Sequence, residues 1–133
     1  MSNVLIIDDS AVMRKIIQRN IQQSGFLVDE FGEAGNSMEG LEKVIENSID
    51  LILLDWDMPN MTGNMTGNMT GTAFVNVLRS LEQKRNIPVV MVIAKSNENE
   101  AEVEKSGANG YLTKPFTSDD LMSKLGKFLK KVR

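Results

Sequence analysis

The 133-residue sequence contains no cysteine and no histidine. Those two absences together remove thiol nucleophiles, disulfides, histidine general bases and ordinary zinc sites. Any chemistry must then rest on carboxylates, hydroxyls, lysine and a metal that prefers oxygen ligands. A formal charge of -3 denies the chain the basic excess that a nucleic-acid or membrane-surface binder needs, so neither partner is expected. No apolar run is long enough to span a bilayer. The first short apolar run stops at Asp8-Asp9, which does not fit a signal peptide. A single domain over 1–133 is expected, monomeric and cytoplasmic, with 41% hydrophobic residues supplying the core.

What is present centres on Ile49 to Asn60. The apolar run Ile49–Leu54 ends in Asp55-Trp56-Asp57-Met58-Pro59, the pattern of a strand buried on both faces that delivers Asp55 to a loop at its C-terminal end. Alone, such an Asp would be expected only to start a turn. Val4–Ile7 repeats the pattern and stops at Asp8-Asp9, after which Ser10 is a good N-cap for a helix with Met13, Ile16, Ile17 and Ile21 on one face and Arg14, Lys15, Gln18 and Arg19 on the other. Phe26-Leu27-Val28 restarts an extended segment suited to a sheet edge, and a second helix fits Asn36–Glu46.

Asn60-Met61-Thr62-Gly63 is repeated unchanged as 64–67 and 68–71, a period too short for a solenoid, so 60–71 is expected to be an elongated loop. A third helix is expected over Ala73–Lys84, burying Phe74, Val77, Leu78 and Leu81. A fourth strand follows over Pro88–Ala94, then a short fourth helix over Glu98–Ser106. Tyr111–Thr113 gives a fifth strand closed by Lys114-Pro115-Phe116. Thr117-Ser118-Asp119-Asp120 opens a last helix with Leu121, Leu125, Phe128, Leu129 and Val132 on its apolar face and Lys127, Lys130 and Lys131 near its end. Strands alternating with helices in this way specify a three-layer α/β domain with a doubly wound parallel sheet.

Three strands therefore end in reactive groups: Asp8 and Asp9, then Asp55, then Lys114. In doubly wound sheets of order 2-1-3-4-5, a known order of this fold class, the first and third strands are neighbours, which would bring the carboxylates together. Crowded carboxylates repel one another unless a cation sits among them, and Mg²⁺ is the natural one. With Lys114 on the other side, Asp55 can attack a phosphoryl donor.

The set Asp8-Asp9, Asp55-x-x-Met58-Pro59-x-Met61-x-Gly63 and Gly110-Tyr111-x-x-Lys114-Pro115-Phe116 resembles the receiver domain of two-component response regulators over essentially the whole chain, and is most similar to the family's single-domain chemotaxis members. The resemblance implies a flavodoxin-like five-stranded sheet with five helices. It implies that Asp55 is the phosphoacceptor for a sensor histidine kinase, with Mg²⁺ held by Asp8, Asp9, Asp55 and the backbone carbonyl of Asp57. Lys114 would pair with the phosphate, Pro115 would follow a cis peptide, and Tyr111 would be the switch aromatic. A protein target would bind the face of strand five, helix four and helix five.

Three departures accompany the resemblance. Ile93 stands where the family places a Thr or Ser that donates to the phosphoryl oxygen, which predicts a weakened or uncoupled switch. Two extra copies of the repeat separate Gly63 from helix three. Asn97 and Glu98 occupy positions that are basic in motor-binding members, which argues against the flagellar switch as the target, although Lys124 matches a basic position there. Two other functions remain open at this point: a phosphorylation-impaired receiver acting as a protein-interaction module, and a phosphatase of the haloacid dehalogenase type, for which Asp55-Trp56-Asp57 would be nucleophile and general acid. A flavin carrier on the same fold ranks behind both, because no hydroxyl-rich phosphate loop follows the first strand.

Overall fold

The computed structural model describes residues 2–58, 69–94 and 100–131. Along the chain it places β1 (Asn3–Ile7), α1 (Ala11–Gln23), β2 (Glu30–Ala34), α2 (Ser37–Glu46), β3 (Leu51–Asp55), α3 (Gly71–Ser80), β4 (Val89–Ala94), α4 (Glu100–Lys105), β5 (Gly110–Lys114) and α5 (Ser118–Leu125). The strands form one parallel sheet in the order β2-β1-β3-β4-β5, as expected for this fold class. β1, β3 and β4 are buried along nearly their whole length, because each lies between two strands and under helices on both faces. One apolar cluster packs α2, α3 and α4 onto the sheet through Ile7, Leu54, Phe74, Leu78, Met91 and Val103. A second packs α1 and α5 onto the opposite face through Ile6, Ile17, Ile21, Leu53, Leu121 and Leu125. Among the described residues no helix is long and apolar enough to cross a membrane.

The caps explain where the helices start. The side chains of Ser10 and Asn36 accept from the amides of Met13 and Glu39, and Thr117 forms a reciprocal capping box with Asp120. α3 is capped by Thr70, which belongs to the last copy of the repeat.

Three expectations are corrected. The second strand is Glu30–Ala34, not Phe26–Val28. Phe26 is buried instead in the α1–α5 cluster and makes an antiparallel bridge to Lys131. β2 pairs with β1 alone, so ladder bonds hold a segment whose Glu30, Gly32 and Glu33 have poor strand propensity. The last helix ends at Leu125, with Gly126 as its C-cap residue, where an added Cβ would lie 2.6 Å from the Met122 carbonyl oxygen. Lys127, Lys130 and Lys131 thus lie beyond the helix, and Lys124 is the basic residue of its last turn. α3 starts earlier and stops earlier than expected. Its buried face is Phe74, Val75 and Leu78, while Val77 is exposed and the extended backbone at Leu81 closes the helix. α4 begins at Glu100 with Val103 buried and Ala101 exposed; residues 98 and 99 of the expected helix, like Val132 of the last one, fall outside the described residues.

Candidate functional site

At the C-terminal edge of the sheet, β1 and β3 end side by side, with Ile7 opposite Leu54 in the ladder. Asp8 and Asp55 therefore leave adjacent strands into the same cleft. Both are buried, at 2% and 6% exposure, while Asp9 is exposed. One carboxylate oxygen from each of Asp8, Asp9 and Asp55 lies within 4.8 Å of the others. Lys114 reaches in from the end of β5, its Nζ 3.5 Å from Asp8 Oδ2 and 3.6 Å from Asp55 Oδ1. The Lys114–Pro115 peptide is cis, as expected.

Burial, and then the neighbouring Asp8 charge, push the Asp55 carboxyl up to about 6; the Asp57 amide and Lys114 pull the other way. Asp8 is also raised, chiefly by burial, against the Ser10 amide and Lys114. Asp8 Oδ1 accepts from the Ser10 amide at 2.9 Å, whereas Oδ2 is buried and has no hydrogen-bond partner among the described residues. A buried carboxylate oxygen with no hydrogen bond and an ammonium no nearer than 3.5 Å, beside two further carboxylates, suits a hard cation with oxygen ligands. The donor set fits Mg²⁺.

The other expected residues lie around this cleft. The Asp57 amide donates to Asp55 Oδ1 at 3.0 Å, and its carboxylate accepts from the Ala94 amide at 2.6 Å, tying the loop after β3 to the end of β4. Ile93 is buried in the apolar cluster beneath α2, α3 and α4 and is paired with Thr113, so that position brings no side-chain donor toward Asp55. Tyr111 is partly buried against the same cluster, with Lys124 Nζ 4.9 Å from its ring centroid. Those two residues, Val103 and Glu104 help line a cavity of about 270 Å³ on the α4–β5–α5 face. A larger cavity of about 540 Å³ opens beside Lys114, between Met13 and Ile16 of α1 and Pro115-Phe116. Pro59, Met61, Gly63, Asn97 and Glu98 lie outside the described residues.

Two contributors escape a reading of the sequence alone. Arg14, which the helical spacing puts on the polar face of the first helix, donates to the backbone carbonyl of Asp8 at 2.6 Å and pairs with Glu33 at 2.9 Å. Its signal is hidden because Glu33 lies on the edge strand, which the apolar pattern places elsewhere. The other is the last repeat copy. Met69 packs on the core, Thr70 caps α3, and Gly71 lies so close to Trp56 that a Cβ there would stand 2.7 Å from the indole. It is thus the third copy of the repeat that meets the helix.

Comparison with known proteins agrees with this geometry. The response regulator receiver domain profile matches residues 4–126. The chemotaxis protein CheY of Pseudomonas aeruginosa is 32% identical over 130 residues, covering 97% of each chain. CheY-3 of Vibrio cholerae is 29% identical, over 97% of this chain and 92% of that protein. Among solved structures, the V. cholerae chemotaxis response regulator CheY4 superposes with a TM-score of 0.75 at 30% identity, covering 97% of this chain and 99% of that one. The Thermotoga maritima response regulator TrrA, solved in complex with Mg²⁺ and BeF, has the same fold, with a TM-score of 0.75 at 24% identity over 97% of this chain and 100% of that one.

Proposed function

The chain belongs to the response regulator receiver domain family, and from that premise we propose that Asp55 accepts a phosphoryl group from a phosphohistidine on a sensor kinase in a chemotaxis-type two-component pathway. The observation that carries this reading is the buried Asp55 carboxylate, held 3.6 Å from Lys114 within a cluster of three carboxylates. In the reaction an Asp55 oxygen attacks phosphorus, the phosphorus–nitrogen bond to the donor imidazole breaks, and an acyl phosphate forms on Asp55. The imidazole leaves with its electron pair and is neutralised by a proton.

Asp8, Asp9 and Asp55 would hold Mg²⁺ through side chains, and Asp57 through its backbone carbonyl. When bound, the ion supplies a divalent charge that offsets the carboxylates and the transferring phosphoryl group. Lys114, beside Asp8 and Asp55, would attract the phosphoryl oxygens. Burial excludes water from the Asp55 carboxylate, which at pH 7 is mostly ionised despite its raised pKa.

The consequence is a change of state and not turnover of an external substrate: receiver domains are signalling modules, not metabolic enzymes. The whole domain over 1–133 acts as a monomer in the cytoplasm, and its output surface is the α4–β5–α5 face with Tyr111 and Lys124. Asn97 and Glu98 stand against the flagellar switch as its target. A second reading is supported by Ile93, which offers no hydroxyl near the site: a receiver that binds a partner without phosphorylation-driven switching.

One experiment separates the readings. Trp56 is the only tryptophan and adjoins Asp55, so its fluorescence is followed through titration with Mg²⁺, then beryllofluoride or a small phosphodonor, in the native chain and in Asp55→Asn. Saturable Mg²⁺ quenching and a donor response lost in Asp55→Asn are expected. Mg²⁺ binding with no donor response supports the interaction module, and no Mg²⁺ response refutes the phosphoacceptor assignment.

A further inference from the structure

The peptide between Asp8 and Asp9 sets the origin of two of the three clustered carboxylates, so whatever fixes that peptide fixes the spacing of the cluster. The chain entering it is anchored by the sheet, since the amide of the preceding peptide, that of Asp8, donates to the Ala34 carbonyl at 3.0 Å. On its carbonyl side it is anchored by Arg14, whose Nη1 donates to the Asp8 oxygen at 2.6 Å. Arg14 is itself held. Its Nε donates to Glu33 Oε1 at 2.9 Å, and its side chain is only 16% exposed. Glu33 stands opposite Ile6 in the β1–β2 ladder, two residues before Asp8, and its other oxygen takes Lys15 at 2.6 Å. One guanidinium thus ties the first turn of α1, the edge strand and the backbone of the acidic turn into a single clamp. Its planar fork presents two donors in fixed directions, a geometry lysine does not possess.

We propose that Arg14, oriented by Glu33, is a positioning residue that presets the Asp8–Asp9 turn for a divalent cation and thereby sets the cation affinity of the Asp8, Asp9 and Asp55 cluster. The inference rests on the metal-binding reading above. The sign of the effect distinguishes geometry from charge. Arg14 is a cation near a cation site, so if it acted through its field alone its removal would tighten Mg²⁺ binding. As a clamp on the turn, its removal loosens binding, in line with the roughly 10–100-fold losses seen when groups that orient metal ligands are removed.

The test is Mg²⁺ affinity, measured by Trp56 fluorescence and by calorimetry, in the native chain, Arg14→Met, Arg14→Lys, Glu33→Gln and Lys15→Gln, with near-UV circular dichroism confirming that each is folded. Arg14→Met is expected to weaken binding about ten-fold or more. Arg14→Lys keeps the charge but cannot span both acceptors, so it is expected to fall nearly as far. Glu33→Gln retains an acceptor and is expected to fall less. Lys15→Gln touches only the outer oxygen of Glu33 and is expected to match the native chain. Unchanged or tighter binding in Arg14→Met and Arg14→Lys overturns the inference while leaving the phosphoacceptor reading intact. Absence of Mg²⁺ binding by the native chain overturns both.

Discussion

Asp55 is buried among like charges, and the direction of its pKa shift fixes how stability should depend on pH. In the unfolded chain its carboxyl titrates near the ordinary value of about 3.9; in the fold it is pushed up to about 6. Between those values the folded state holds a proton that the unfolded state has released, so stability falls as pH rises through the window and the cost is fully present above about 6. A shift of this size, shared with Asp8, corresponds to about 1–3 kcal/mol. Asp55→Asn in metal-free buffer is therefore expected to raise the denaturation midpoint at pH 7.5 and leave it nearly unchanged at pH 4. Added Mg²⁺ should narrow the difference by stabilising the native chain alone. An equal effect of the substitution at both pH values would show that the carboxylate is not strained. Ile93 poses the other question at this scale. Ile93→Thr places a hydroxyl in a site that is 1% exposed, at an expected cost of roughly 1–2 kcal/mol. If the hydroxyl is the missing coupling group, the ring signals of Tyr111, the only tyrosine, will move with beryllofluoride further in Ile93→Thr than in the native chain. Equal movement in both would mean that coupling runs by another route.

At the scale of elements, the repeat shows how one copy of a motif is put to use by the helix it adjoins. Three identical copies each offer a threonine and a small glycine, and the copy that abuts the helix uses them as cap and close contact. Thr70 and Gly71 do so, with Gly71 against Trp56 and Met91. Deleting residues 60–67 joins Pro59 to Asn68 and leaves that cap intact. It should raise stability by up to about 1 kcal/mol through the smaller closure entropy of the loop, with the Trp56 emission maximum unchanged. A loss of stability would show that the extra copies pack on the domain. The same contrast separates what was legible from what was not. β1, β3 and β4 were legible because continuous apolar runs stop abruptly at charge, and the first two of those stops are also where Asp8 and Asp55 sit. β2 was not, because an edge strand is held by its ladder and needs few apolar residues. Arg14 was hidden with it, since a cation on a helix face looks solvated until its partner strand is in place. α5 was overextended because Phe128 and Leu129 continue the helical spacing past Gly126, where the helix is capped.

The whole molecule divides its work between the two ends of one sheet. The carboxylates, Lys114 and the Arg14 clamp gather at the C-terminal edge, where strands deliver side chains into a cleft. The opposite end is closed by Arg79 of α3. Its guanidinium donates to the carbonyls of Arg85 and Ile87 at 2.8 and 2.6 Å and to Asn109 Oδ1 at 2.8 Å. Asn109 in turn accepts from the Val89 amide at 2.9 Å, so this one side chain joins α3 to the starts of β4 and β5. Arg79→Met should leave those acceptors without their charged donor, at a cost of about 1–3 kcal/mol. For a chain of this length that lowers the thermal midpoint by roughly 3–12 °C. Because β4 and β5 reach the cleft only at their far ends, Mg²⁺ affinity read from Trp56 should stay at the native value wherever the variant is folded. Arg14→Met is expected to do the reverse, weakening Mg²⁺ binding at temperatures where the fold is intact. If Arg79→Met also weakened Mg²⁺ binding in the folded state, the two ends would be coupled through the sheet, and loss of affinity in Arg14→Met could no longer be credited to the clamp alone.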